Sequence, residues 1–265
     1  MYIRKEPAWG YVPYLTRGEE DHGLGMSVGL LTLEPGSSWA FDEPEDELAL
    51  DLLTGRATFA WDGERREVDR PDTFGHAAWC LHVCRGTRVV VEAVERTEIY
   101  VQRTDNDRTF PARLYGPDDI MIQHAGAGGE LKGCTRRDIQ TFFDYESAPW
   151  SNMVLGEVLS WPGKWSSYPP HHHPQPEVYF YRFDRPQGFG AGFANGEVYR
   201  IEHDGCLVIR HSSHSQVAAP GYALCYMWGI RHLPGDPWRK TRIDEPEHAW
   251  LLAPDANDHI FDPDR

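Results

Sequence analysis

The chain lacks several things whose absence narrows what it can be. No apolar run approaches the ~20 residues that a membrane span requires, and Met1 to Gly10 holds no apolar signal core. A soluble, cytoplasmic protein is expected. Cysteine is scarce: Cys80, Cys84, Cys134, Cys206 and Cys225 are odd in number and form no CxxC pair. That argues against both a disulfide framework and a thiolate zinc site, and reduced core residues are expected. Positive charge is also short, with 26 basic against 41 acidic side chains and a formal charge of −15. Lys and Arg form no stripe along the sequence, so nucleic acid and anionic membrane surfaces are poor partners. No long amphipathic helical period is present, which disfavours alternating β and α units.

What the 265 residues do contain is 40% hydrophobic and 12% aromatic side chains, enough for one large or two small cores. Glycine and proline punctuate short β-branched or aromatic segments such as Val89-Val90-Val91 and Val178-Tyr179-Phe180-Tyr181. These read as many short antiparallel strands. Leu33-Glu34-Pro35-Gly36-Ser37-Ser38-Trp39 also aligns with Ser160-Trp161-Pro162-Gly163-Lys164-Trp165-Ser166, and each Pro-Gly turn precedes an alternating strand. Two copies of one β-unit are expected: an N-terminal unit at 1–103, a connection at 104–148, and a C-terminal unit at 149–265. Ala125-Gly126-Ala127-Gly128-Gly129 falls in the connection without the strand-then-helix setting of a dinucleotide site.

Chemistry concentrates in Pro169-Pro170-His171-His172-His173-Pro174-Gln175-Pro176-Glu177. Imidazole nitrogen and carboxylate oxygen are ligands for Zn, Mn or Fe. In extended chain His171 and His173 share a face, and after the proline turn Glu177 can start a strand facing the same interior. The competing reading is a solvated His/Pro loop. A fourth ligand could be His211 or His214, since the turn through Ser212-Ser213 resets strand parity. Alternation from Glu177 puts Tyr179 and Tyr181 on the interior face, and alternation from Tyr222 groups Tyr226 with Trp228. Lys164 and Arg182 are candidates to clamp a carboxylate.

The motifs Trp165-Ser166-Ser167-Tyr168-Pro169-Pro170-His171-His172-His173, Glu177-Val178-Tyr179-Phe180-Tyr181-Arg182, His214, Ala219-Pro220-Gly221-Tyr222 and His248-Ala249-Trp250 occur in this order. Together they resemble the 5-deoxy-glucuronate isomerase family of myo-inositol catabolism. The resemblance implies an all-β bicupin, two tandem antiparallel jelly-roll-like barrels. It also implies one divalent metal in the C-terminal barrel, held by His171, His173, Glu177 and His214, and a metal-free N-terminal barrel. The stretch Ile209 to Ser215 departs from the family motif around the last ligand, lacking its prolines and glycine.

The function this implies is aldose–ketose isomerisation of a deoxyuronic-type acid, 5-deoxy-glucuronate to 2-deoxy-5-keto-gluconate. Tyr179, Tyr181 and Lys164 are then candidate catalytic groups, and Arg182, His211, Tyr222, Tyr226 and Trp228 candidate substrate contacts. The expected partner is a small anionic sugar, with a homo-oligomer compatible with the sequence. An Fe(II) cupin dioxygenase and a non-catalytic sugar-acid-binding bicupin are the rivals, because one fold hosts many chemistries.

Overall fold

The computed structural model describes residues 1–18 and 21–263, and it is built almost wholly of antiparallel strands. Two β-units lie in tandem, as the repeat predicts. Both Pro-Gly turns are present, with Gly36 at φ 79° and Gly163 at φ 71°, left-handed values that glycine adopts without steric cost.

The N-terminal unit is organised by one sixteen-residue strand, Asp46–Trp61. Its first half pairs with Cys80–Val83 and Thr97–Asp105, its second half with Glu64–Arg70 and Val89–Ala93. The change of partners falls at a register shift between Leu52 and Thr54. Gly55 follows at φ 107°, where a Cβ would lie 2.7 Å from the Thr97 Cα, so the bend requires glycine. The interior of this unit is apolar, with Leu31, Phe41, Leu48, Leu50, Phe59 and Val101 among its buried residues.

In the C-terminal unit a seven-stranded sheet runs Tyr2–Arg4, Gly205–Ile209, Glu177–Phe183, Leu224–Arg231, Met153–Ser160, Arg137–Phe143, Met121–Ala125. A five-stranded sheet, Glu197–Glu202, Phe189–Ala194, His214–Ala218, Trp165–His172, Ile243–Asp244, shares its core. Two placements differ from the sequence expectation. The first strand of the chain completes the distal sheet, and the segment read as a connection supplies two of that sheet's strands. Long-range pairing, Arg137 opposite Ser160 and Tyr2 opposite Leu207, decides both.

Strand Glu177–Phe183 is buried on both faces. Tyr179, Tyr181 and Phe183 enter the core of the C-terminal unit, while Val178 and Phe180 enter a third core shared with Tyr14, Leu15 and Tyr100 of the N-terminal half. Each fully buried side chain of this size stabilises the fold by roughly 1.5–3 kcal/mol, so the shared core joins the units. Charges inside it are paired. Arg70 donates to both carboxylate oxygens of Glu157 (2.6 and 2.8 Å) and to the Leu52 and Thr73 carbonyls. Burial, then the Glu157 charge, pushes the neighbouring Asp51 carboxyl well up.

All five cysteines are free. Cys80, Cys206 and Cys225 are core residues as expected, whereas Cys84 is half-buried and Cys134 is exposed. No helix among the described residues is long and apolar enough to cross a membrane.

Candidate metal centre and its cavity

Three strands converge on the candidate ligands. Strand Trp165–His172 delivers His171 and, one residue past its end, His173; the proline turn then delivers Glu177 at the start of its strand. His171 pairs in register with His214, the first residue of strand His214–Ala218. His173, Glu177 and His214 are all buried, and one donor atom from each falls within 4.8 Å of the others. Oε2 of Glu177 is 3.2 Å from Nε2 of His173 and 3.2 Å from Nε2 of His214.

The outer nitrogens are anchored to backbone. Nδ1 of His173 lies 2.9 Å from the Gln175 carbonyl, Nδ1 of His214 3.1 Å from that of Ser212, and Nδ1 of His171 3.1 Å from that of Pro169. A carbonyl can only accept, so Nδ1 of His171 and of His214 carries the proton and their Nε2 atoms present lone pairs, whereas His173 has an acceptor at each nitrogen, the Gln175 carbonyl and Glu177 Oε2. The former is the arrangement in which histidine binds metal, with a backbone acceptor fixing the tautomer. Burial, reinforced by the Arg242 charge, lowers His171 to about 3. Burial, partly opposed by the Glu177 charge, lowers His214 to about 4. Both are neutral at neutral pH. The Nε2 of His214 is buried without a hydrogen-bond partner. An orphaned imidazole nitrogen facing a carboxylate and a second imidazole suits a divalent ion.

His171 is beside this trio rather than within it. Its ring packs 4.5 Å from that of His214, and it borders the same cavity as His173 and Glu177. That cavity, about 270 Å³, is also walled by Arg137, Ser167, Tyr179, Tyr226, Trp228, Trp238 and Arg242. His214 borders instead a second hollow, with Trp165, Tyr168 and Phe193. Ser167 takes a left-handed φ of 50° where the strand slips register between Ser166 and His171. Strain of this kind re-aims a side chain. Its Oγ lies 2.9 Å from the Tyr179 hydroxyl, and Ser166 Oγ lies 2.6 Å from that of Tyr226. Trp228 fits because position 156 is glycine, where a Cβ would lie 2.7 Å from the indole nitrogen.

Five other sequence candidates lie away from the cavity. Tyr181 is deeper in the core, donating to Gln216 Oε1 (2.9 Å). Lys164 sits in the Pro162-Gly163 turn, at the opposite end of the strand that carries His171. Tyr222 is in the Gly221 turn against Phe189, 6.1 Å between ring centroids. His211 borders a surface hollow with Arg210 and Gly23. Arg182 faces the shared core, donating to Asp204 (2.5 Å) and to Glu98 of the other unit. A buried guanidinium must be neutralised, and these two carboxylates do so.

Arg137 and Arg242 were not among the sequence candidates. Arg137 donates to the Thr135 carbonyl (2.8 Å), and among the described residues no carboxylate pairs with it. Burial, with a smaller push from Arg242, holds its guanidinium below the ordinary range. Arg242 pairs with Asp244 (2.6 Å) and donates to the Pro169 carbonyl. The alternation Arg137, Ile139, Thr141, all bordering the cavity, was the one available signal.

Comparison with known proteins meets this geometry. Residues 12–251 match the model of the KduI/IolB family. The chain belongs to that family. A 5-deoxy-glucuronate isomerase of Geobacillus kaustophilus is 27% identical over 251 residues, 86% of each chain, and one of Bacillus velezensis is 23% identical over 86% of this chain and 88% of its own. Among solved structures, an IolB-like protein of Salmonella typhimurium superposes with a TM-score of 0.84 at 20% identity, covering 95% of this chain and 99% of its own. The oxalate decarboxylase of Lactobacillus farciminis gives 0.65 at 12% identity over 99% and 92%. With a cupin of Leptotrichia buccalis also similar (TM-score 0.51, 10% identity, 87% and 96% covered), these likenesses establish the bicupin fold.

Proposed function

We propose that this member of the KduI/IolB family is a metal-dependent aldose–ketose isomerase that converts 5-deoxy-glucuronate to 2-deoxy-5-keto-gluconate in inositol catabolism. The observation that carries the reading is Arg137, a guanidinium without a carboxylate partner among the described residues, in the same small cavity as His173 and Glu177. A half-buried, unpaired guanidinium is costly unless a ligand brings the anion, and its planar fork matches a carboxylate. The names of the relatives supply the substrate.

Isomerisation moves a proton from C2 to C1 and exchanges which oxygen is carbonyl and which is hydroxyl. His173, Glu177 and His214, with His171 beside them, would hold a divalent ion of the Zn, Mn or Fe type. When bound, that ion supplies Lewis-acid polarisation of the substrate's oxygens. Arg137 and Arg242 hold the carboxylate end, fixing the sugar's direction in the cavity. Tyr179 and Tyr226 act as hydrogen-bond donors rather than bases, because burial raises both phenols above their ordinary range. Ser166 and Ser167 orient those hydroxyls. Trp228 and Trp238, rings 5.6 Å apart, give the cavity an apolar wall.

The test is a panel of uronic and deoxyuronic acids incubated with metal-loaded protein and followed by NMR. The proposal expects conversion of 5-deoxy-glucuronate. Turnover of other acids only, or oxygen uptake in place of isomerisation, would overturn it.

A further inference from the structure

A larger cavity, about 740 Å³, opens where strands Thr97–Asp105 and Leu224–Arg231 end close to the start of Asp46–Trp61, and residues 237–240 alternate between its wall and that of the metal-side cavity. None of its residues borders the metal-side cavity. Its volume is ample for a small metabolite.

Four arginines border it, and three have no carboxylate partner among the described residues. Arg108 is held by the Asn106 side chain and the Pro149 and Ser151 carbonyls, Arg239 lies over the Tyr145 ring at 4.2 Å, and Arg85 has neither. Only Arg231 is paired, with Asp105 at 3.1 Å. In a chain of net charge −15, four guanidiniums against the three carboxylates of Glu45, Asp105 and Asp107 make this cavity locally cationic.

His232 is the independent observation. It borders the cavity and is only 4% exposed. Its Nδ1 accepts the backbone N–H of Trp238 at 3.1 Å, which places the proton on Nε2. That buried Nε2 has no hydrogen-bond partner among the described residues, and the ring meets that of Tyr145, itself in the cavity wall, edge-to-face at 5.5 Å. Burial, reinforced by the charges of Arg231 and Arg108, lowers His232 to about 4, so it is a neutral donor in need of an acceptor. Glu45 and Asp107 also border the cavity and can accept hydrogen bonds from hydroxyls.

We propose that this cavity is a second ligand site, separate from the metal centre, for a small anionic carbohydrate. Arg85, Arg239 and the His232 N–H take its anionic group, while Glu45 and Asp107 accept from its hydroxyls. A sugar phosphate and a sugar acid share this chemistry.

The experiment is calorimetric titration of the metal-loaded chain with glucose 6-phosphate, with D-glucuronate and with uncharged glucose. Each is run on the native protein, on Arg137→Ala and on the double variant Arg85→Ala/Arg239→Ala. Both surface arginines are exposed, so the double variant is expected to keep the native circular dichroism. One of the two anions is expected to bind, with glucose at least tenfold weaker. Its affinity should survive Arg137→Ala, fall at least tenfold in the double variant, and weaken with added salt. Which anion binds identifies the source. Binding of neither anion, equal binding of glucose, an unchanged affinity in the double variant, or loss only in Arg137→Ala would each overturn the proposal. Because Arg137 belongs to the metal-side cavity and the double variant does not, failure here is distinguishable from failure of the isomerase reading.

Discussion

Nε2 of His214 lies 3.2 Å from Oε2 of Glu177 and has no hydrogen-bond partner of its own. His211, earlier in the same loop, turns at φ 47° to the surface beside Arg210. The contrast makes His214, rather than His211, the candidate ligand that the variants below test. His214→Ala is expected to lower metal affinity by more than the ~10 to 100-fold that loss of a supporting partner causes, while His211→Ala keeps the metal. Side-by-side metal titration of the two variants checks this, and metal loss in His211→Ala alone would mean the loop is wrongly placed.

Arg137→Ala should raise KM for the sugar acid about ten- to a hundredfold with a smaller change in kcat, since a hydrogen bond to a charged group contributes roughly 1.5–3 kcal/mol. Arg137→Lys should recover only part, because an ammonium lacks the planar fork. Steady-state kinetics of both variants decide; an unchanged KM in Arg137→Ala would remove Arg137 from substrate binding.

These two sites show what was legible in the sequence. The nearness of His173 and Glu177 follows from strand alternation across a proline turn, a local signal that needs no knowledge of the fold, whereas alternation alone does not show that His171 lies beside the trio rather than within it. His214 came from the family motif, because parity is lost through Ser212-Ser213. Arg137 was signalled only by the alternation Arg137, Ile139, Thr141, which does not say what that face borders, and Arg242 was out of reach, since the strand it precedes pairs with Trp165–His172, about 70 residues earlier in sequence. Arg182 was misjudged for a related reason. A charged residue in an alternating strand reads as facing solvent or a ligand, but here the second face of the sheet is covered by the other unit, where Glu98 awaits it.

Arg182→Ala should therefore act on stability. Removing it leaves Glu98 to the exposed Arg96 (2.7 Å) and Asp204 to His203 at 3.6 Å, so the loss is expected towards the lower end of the ~3–5 kcal/mol that breaking a buried ion pair costs. Although burial opposes ionisation of Glu98, the Arg182 charge holds its carboxyl below the usual range. The pair thus stabilises the fold above the ordinary Glu pKa of about 4.3, and that contribution fades as pH falls through the lower folded value. Urea denaturation at pH 7 checks the magnitude, and a change under about 1 kcal/mol would mean the pair is dispensable.

His232 predicts acid sensitivity in a higher pH range. Its folded pKa of about 4 lies below the ordinary 6.5, so the folded state binds fewer protons. Stability attributable to it is complete above 6.5 and falls by about 1.4 kcal/mol per pH unit down to the folded value. His232→Gln should flatten the stability profile between pH 6.5 and 4. An unchanged slope would show that His232 is not neutral in the native protein.

The most direct test of the metal-centred account is NMR turnover of 5-deoxy-glucuronate by native protein stripped of divalent ions and then reloaded. Stripped protein is expected to lose isomerisation and regain it with about one equivalent of Zn, Mn or Fe per chain, while Glu177→Ala, which removes the carboxylate shared by His173 and His214, regains little. Undiminished turnover in protein shown by elemental analysis to be metal-free would contradict the account.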